Sequence, residues 1–261
     1  MAKVAFKASN VFSDISRFIN LLKDLKKSKI QVEGLDSLMT ELNKKLNDQN
    51  NWKLNTKLRF KNINKKDLKI PEQILQNVKE IILELKISIT EKSYTVNSIC
   101  DSIIQDRNVV YGVQFVTYGK TVDDLENYKM SWHLDKHIRN YNEEDGRGKG
   151  FIHPEYHCNM GGFVLTKSND FNFGNVLLAN TPRICHPPLD IILSIDFVLK
   201  NFYGVRVKNL TDSNQYKKII STSKQRLWRP YFICVANHWE SKRFDDLNIE
   251  VNFAEKIFGE V

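Results

Sequence analysis

From Asn10 to about Lys29, Val11, Phe12, Ile15, Phe18, Ile19 and Leu22 recur at the spacing of a 3.6-residue turn. Ser13 or Asn10 offers a capping oxygen, so the pattern predicts an amphipathic helix. A second helix is expected from Leu35 to about Leu46, with Leu38 and Leu42 on one stripe and Gly34 just before it. Asn47 to Lys69 is polar and weakly periodic, a connector or a short strand pair around Leu58-Arg59-Phe60. Pro71 suits the first position of a third helix, whose Ile74, Leu75, Val78, Ile81, Ile82 and Leu85 form a wide apolar face. A short helix from Val96 to Ile104 completes a helical front, residues 1–108.

The pattern changes at Val109. Residues 109–118 are β-branched and aromatic and end at Gly119, the signature of a strand. Residues 129–137, 153–165 and 173–178 read as three more, too closely spaced for intervening helices, which suggests an antiparallel meander. Pro182 to Pro188 is a rigid extended segment. It leads to a helix with Ile191, Ile192, Ile195, Val198, Leu199 and Phe202 on one stripe, Asp190 at its start and Gly204 at its end. Asp212-Ser213 caps a further helix carrying Tyr216, Ile219 and Ile220. It is expected to stop near Pro230, with Tyr231 to Trp239 forming a last core helix. The predicted fold class is α+β: a helical N-terminal region (1–108), then a small antiparallel sheet of about four strands covered by C-terminal helices (109–261).

Composition is that of a globular chain, 41% hydrophobic and 27% charged. No run of 18 apolar residues and no signal-peptide pattern is present, so a cytoplasmic protein without membrane contact is expected. Cys100, Cys158, Cys185 and Cys234 form no Cys-x-x-Cys pair, against a zinc ribbon or a disulfide scaffold. The net charge of +8 is uneven: residues 1–110 hold 20 Lys/Arg against 13 Asp/Glu. The surplus is densest from Lys53 to Lys69, where Lys57, Arg59, Lys61, Lys65 and Lys66 are candidates for phosphate contacts with nucleic acid. The bland alternative is a solvated basic loop.

Four of the six histidines, His133, His137, His153 and His157, fall within 25 residues. Alternation along a strand puts Ser131, His133, Asp135 and His137 on one face, and His153, Glu155, His157 and Asn159 on one face of the next strand. In an antiparallel register whose paired numbers sum to 290, His133 meets His157, Asp135 meets Glu155 and His137 meets His153. Opposed Cβ atoms lie about 4.5–5.5 Å apart, which would gather the groups within one side-chain reach. The long glycine-bearing loop does not fix this register, and a two-residue offset would keep the faces while changing the partners.

Such a cluster has two chemical uses. His133, Asp135 and His157 are candidate ligands for a divalent metal. Alternatively His133 and His157 act as general base and general acid in phosphodiester cleavage, with Asp135 orienting a ring. His153 belongs to the same cluster, and Arg183 and His186 are candidate helpers. The plain alternative is a polar sheet face whose histidines bond loop carbonyls.

Trp132-His133-Leu134-Asp135, His153-Pro154-x-Tyr156-His157 with Gly161-Gly162, and Pro182-Arg183 with His186-Pro187-Pro188-x-Asp190 together resemble the signature of an uncharacterised bacterial domain-of-unknown-function family over about residues 110–240. The resemblance implies a setting among mobile and phage-defence genes. There is a looser similarity to small toxins suspected of cutting RNA. The expected function is a His/acid-dependent, nuclease-like hydrolase of phage defence, acting on nucleic acid or a nucleotide. The rival is a non-catalytic adaptor that docks on a separately encoded ATPase or nuclease, with the helical front as the docking part.

Overall fold

The computed structural model describes residues 8–46, 52–64, 77–89, 109–120, 127–136, 156–160 and 184–240. They form an α+β protein in which one antiparallel sheet packs against a layer of helices. The sheet is a meander with strand order β1 to β7: β1 (Gln31–Glu33), β2 (Trp52–Lys61), β3 (Asn77–Ile89), β4 (Val109–Lys120), β5 (Asn127–Lys136), β6 (Tyr156–Met160) and β7 (Ile184–Cys185). The helices are α1 (Ala8–Leu22), α2 (Leu35–Leu46), α3 (Ile191–Phe202), the single turn α4 (Lys208–Thr211) and α5 (Asn214–Glu240). Helices α2 and α3 match the expected spans and strands β4 and β5 do so to within two residues, whereas α1 stops at Leu22 and a 3-10 helix (Lys23–Ser28) carries the chain on towards the expected end near Lys29.

Two expectations for the front half are corrected. The basic stretch around Leu58 is one ten-residue strand, with Thr56, Leu58 and Phe60 buried and Asn55 and Lys57 exposed. Its period of two is Leu54, Thr56, Leu58 and Phe60 against Lys53, Asn55, Lys57, Arg59 and Lys61. Residues 77–89 are likewise a strand and not the helix expected from Pro71 to Leu85. Ile81, Ile82 and Leu85 do fit a helical stripe, but Leu83-Glu84-Leu85-Lys86-Ile87-Ser88-Ile89 alternates apolar and polar with period two. Once β2 stands beside it, all ten β2 residues find partners on β3, from Trp52–Ile89 to Lys61–Glu80. The sheet therefore runs across the expected boundary at 108/109, since β3 pairs with β4 from Asn77–Lys120 to Ile89–Val109. One core cluster joins α1, α2, β2, β3, β5, α3 and α5. The helix expected at 96–104, the strand at 173–178 and parts of the strand at 153–165 lie outside the described residues.

The helix-facing side of the sheet carries Leu58, Phe60, Ile81, Leu83 and Leu134, all buried. Against it sit Phe12, Ile15, Phe18, Ile19 and Leu22 of α1 and nearly all of α3. Trp132 meets Phe202 at a ring-centroid distance of 6.4 Å, and Tyr156 meets Tyr231 edge-on at 6.2 Å.

Polar groups lock the helices in place. Asp190 caps α3 by accepting from the Leu193 N–H at 2.8 Å, and it accepts a hydrogen bond from the Ser223 hydroxyl of α5. Burial pushes this carboxyl up, opposed by the Leu193 and Ser223 hydrogen bonds and by the Arg226 charge. Arg226, only 3% exposed, pairs with Asp14 of α1 at 2.9 Å. Tyr216 donates to Asp196 at 2.7 Å, which together with burial holds its phenol well above the ordinary range. Arg206 binds the carbonyls of Asn62, Ser28 and Lys29 at 2.6, 2.9 and 3.2 Å, tying two loops to the end of α3.

The C-terminal expectation of two helices is also corrected: α5 runs unbroken through Pro230. A proline inside a helix removes one hydrogen bond and typically costs about 3 kcal/mol. Leu227 and Tyr231, buried on either side of it, supply apolar burial that offsets this.

Gly34 is required where it stands. Its φ is +94°, and a Cβ there would lie 2.5 Å from the Lys57 carbonyl oxygen of β2. Its own carbonyl accepts the Leu38 N–H at 2.9 Å, opening α2. Gly34→Ala is expected to lower stability by roughly 1–3 kcal/mol, read as a drop in the midpoint of thermal unfolding followed by circular dichroism.

Candidate functional site

The second face of the sheet, away from the helices, carries the candidate chemistry. Its side chains follow from register. β5 pairs with β6 as Trp132–Met160, His133–Asn159, Leu134–Cys158, Asp135–His157 and Lys136–Tyr156. The expected pairing of His133 with His157 is thus corrected by a two-residue offset. The packing of the opposite face accompanies this register: it sets Leu134 beside Cys158 and lets Tyr156 reach Tyr231 of α5.

The offset does not separate the two histidines. They become diagonal neighbours, with ring centroids 5.8 Å apart and ring planes at 83°, edge to face. His133 is half-buried and His157 is 3% exposed. Asn159 stands opposite His133, and Cys185 of β7 stands opposite His157 on the side away from Asp135. The two rungs read Gln114–His133–Asn159 and Gly112–Asp135–His157–Cys185. Gly112 brings no side chain to its rung.

This face is not a bare polar surface. Ile82, Ser131 and His157 on it are 3%, 0% and 3% exposed. An imidazole in so sheltered a position interacts with charge more strongly than it would in water.

The same registers carry the face across to the basic strand. Lys57 pairs with Glu84, Glu84 with Gln114, and Gln114 with His133, so Lys57 lies on the rung of His133 three strands away. At about 4.8 Å per strand, that is roughly 14 Å. Arg59 and Lys61 share the face, but Arg59 pairs with Glu80 at 2.9 Å and Lys61 with Glu33 at 2.7 Å. Much of their positive charge is therefore met locally. Lys65 and Lys66 lie outside the described residues.

Of the other candidates, the structure does not bring His186 to the pair. Its backbone N–H meets the Tyr156 carbonyl at 3.4 Å, which extends the β6–β7 ladder on the parity that faces α5. Its Nδ1 lies 2.6 Å from the Pro187 carbonyl oxygen, a contact that holds the ring locally. Burial lowers its pKa, opposed by that carbonyl contact. The Pro187-Pro188 segment is architectural, with the Pro188 carbonyl accepting the Trp228 indole N–H at 2.9 Å. His137, His153, Glu155 and Arg183 lie outside the described residues, and so does the side chain of Asp135, whose backbone position alone is placed.

The site can hold a proton or a cation. Two imidazoles sharing one tetrahedral ion at about 2.0–2.1 Å have ring centroids roughly 5 Å apart, close to the spacing of His133 and His157. Among the described residues no group of three His, Cys, Asp or Glu side chains stands together. Among the described residues, the further ligand types that the register puts on the same rungs are Asp135 and Cys185. Burial raises the Cys158 and Cys185 thiols above their usual range, so neither is a ready thiolate nucleophile at neutral pH. Sequence reasoning missed Asn159, Gly112 and Cys185 as neighbours. The alternation that put Asn159 on the histidine face was there to find it, whereas Gly112 and Cys185 depend on a register that only packing fixes.

No protein-family model, curated protein or solved structure matches the chain. Among the described residues no helix is long and apolar enough to cross a membrane.

The depressed pKa of His186 sets a pH dependence. The unfolded chain takes up its proton near pH 6.5 and the folded chain only at lower pH, so stability falls as pH drops through that window and is unaffected above it. Urea unfolding between pH 7.5 and 5.5 should show this loss, and His186→Gln should reduce it. An unchanged slope in the variant would count against the assignment.

Proposed function

We infer that the chain is a nuclease-like phosphodiester hydrolase in which His133 and His157 are the reactive imidazoles, acting in bacterial defence against phage. The observation that carries this reading is the sheltered edge-to-face pair at 5.8 Å, on one face of the sheet with a basic strand. An edge-to-face pair aims its ring nitrogens in different directions, so one ring can take a proton from the attacking oxygen while the other gives one to the leaving oxygen. Each such transfer contributes about 10²–10⁴-fold. Asn159, opposite His133, offers an amide to orient a ring or bind a phosphoryl oxygen. Asp135, backbone-paired with His157, is the candidate carboxylate to fix its tautomer or complete a metal site with both histidines. Lys57, on the rung of His133, is placed to meet the phosphate backbone beyond the cleaved bond. The setting in phage defence rests on the resemblance of the Trp132–Asp135, His153–Gly162 and Pro182–Asp190 motifs.

In the adaptor alternative, docking would fall to the exposed faces of α1 and α2, whose other faces belong to the core shared with β2, α3 and α5.

His133→Ala and His157→Gln are the informative variants, glutamine being chosen because His157 is buried. Each should reduce cleavage of labelled RNA or DNA by at least about 100-fold while leaving the circular dichroism spectrum and melting midpoint near those of the parent. Full cleavage by either folded variant, or none by the parent with or without Zn²⁺ and Mn²⁺, would overturn the reading. Elemental analysis of the parent and of His133→Ala tests the metal route: a metal lost with His133 supports it, and an equally empty pair excludes it.

A further inference from the structure

On the opposite side of the molecule, in the helical layer, α5 borders a groove of about 630 Å³ that also takes in Lys200 of α3 and the turn at Thr211-Asp212. Its wall is a single stripe of α5. Lys217, Ser221, Lys224, Trp228 and Phe232 follow one another at intervals of three and four residues, which puts them on one side of the helix. From Asn214 to Trp239 the helix contains five Lys or Arg and no Asp or Glu. The groove itself is lined by Lys200, Lys217, Lys224 and Arg229 against one lining carboxylate, Asp212.

Two of these cations are partly met, Lys200 by Asp196 at 2.8 Å and Lys217 by Asp212 at 3.4 Å. Lys224 instead stands over the Trp228 ring at 4.7 Å, and Arg229 is exposed. Phe232 is 52% exposed at the end of the stripe, with its ring edge-to-face with that of Tyr231 at 5.3 Å. The run from Lys217 to Phe232 spans about 22 Å of helix.

Cations spaced along a groove, with an exposed aromatic face among them, are what a single-stranded nucleic acid needs: phosphates meet the ammonium and guanidinium groups while an unpaired base stacks on a ring. We propose that this groove on α5 binds single-stranded nucleic acid, with Lys217, Lys224 and Arg229 holding phosphates and Phe232 stacking a base. It is distinct from the basic strand β2 and does not depend on His133 and His157 being catalytic, since strand alternation sets those residues on the other side of the sheet. A duplex fits less well because its bases are already stacked and unavailable to Phe232.

Binding of fluorescein-labelled oligo-dT to the full chain, followed by fluorescence anisotropy, tests this. About three neutralised phosphates predict a slope of log K against log salt near −2. The double variant Lys217→Glu/Lys224→Glu should weaken binding by tenfold or more, and Lys44→Glu, at an exposed cation of α2 outside the groove, should leave it within about twofold. Phe232→Ala should weaken oligo-dT binding about tenfold without changing competition by inorganic polyphosphate, which has no base to stack. All variants lie on exposed or half-exposed positions, and their melting midpoints confirm folding. Unchanged affinity in the α5 double variant, or an equal loss with Lys44→Glu, overturns the proposal. Equal effects of Phe232→Ala on oligo-dT and polyphosphate, or none on either, also overturn it, because the groove would then be a plain polyanion site.

Discussion

Strand alternation under one layer of helices is the constraint from which the rest of this structure follows. Once Leu58, Phe60, Ile81, Leu83 and Leu134 are committed to the helices, every intervening residue is committed to the other face. A slip of one residue anywhere between β2 and β6 would put lysines and histidines into the core. The commitment explains why residues far apart in sequence share one rung: Lys57, Glu84, Gln114, His133 and Asn159 are aligned by apolar packing on the reverse side. The face that carries the candidate site is thus positioned by residues on the reverse side of the sheet.

The helical layer is held by a different kind of interaction. Asp190, Ser223, Arg226 and Asp14 join the start of α3, the middle of α5 and the body of α1 through buried charge and hydrogen bonds. Burial alone would expel these ions, and the pairing of Arg226 with Asp14, together with the cap on Asp190, makes their inclusion tolerable. Such networks discriminate among packings more than they stabilise any one of them. Here the network specifies which helices are neighbours, a matter that apolar contacts among Ile, Leu and Phe leave loose.

Much of the architecture was legible in the sequence because its signals were local. The α1 stripe, Gly34 ahead of α2, the Asp190 start of α3, the Ser213 cap and the strand after Val109 each depend on a few neighbouring residues. What was not legible depended on partners. Residues 77–89 satisfy a helical stripe and an alternating strand at once, and only pairing with β2 and β4 decides between them. Pro230 is a strong local stop signal that burial of Leu227 and Tyr231 overrides. At the site, alternation alone put His133, His157 and Asn159 on one face. The register did not follow, because it is set by side chains on the reverse face and not by the loop. That Lys57 shares a rung with His133 was hidden for the same reason: distance along the chain says nothing about shared rungs.

The ion pair between Asp14 and Arg226 spans 212 residues. Each strand of the meander finds its neighbour soon after it leaves the ribosome, but α1 cannot find the arginine that holds it until most of the chain has been made. At about 5–20 residues per second, that is a delay of roughly 10–40 s. During that time the apolar stripe of Phe12, Ile15, Phe18, Ile19 and Leu22 has no α5 to cover it. The order of synthesis therefore makes the ion pair that ties α1 to α5 a late contact, formed after α1 has already had α2 and the first strands to pack on.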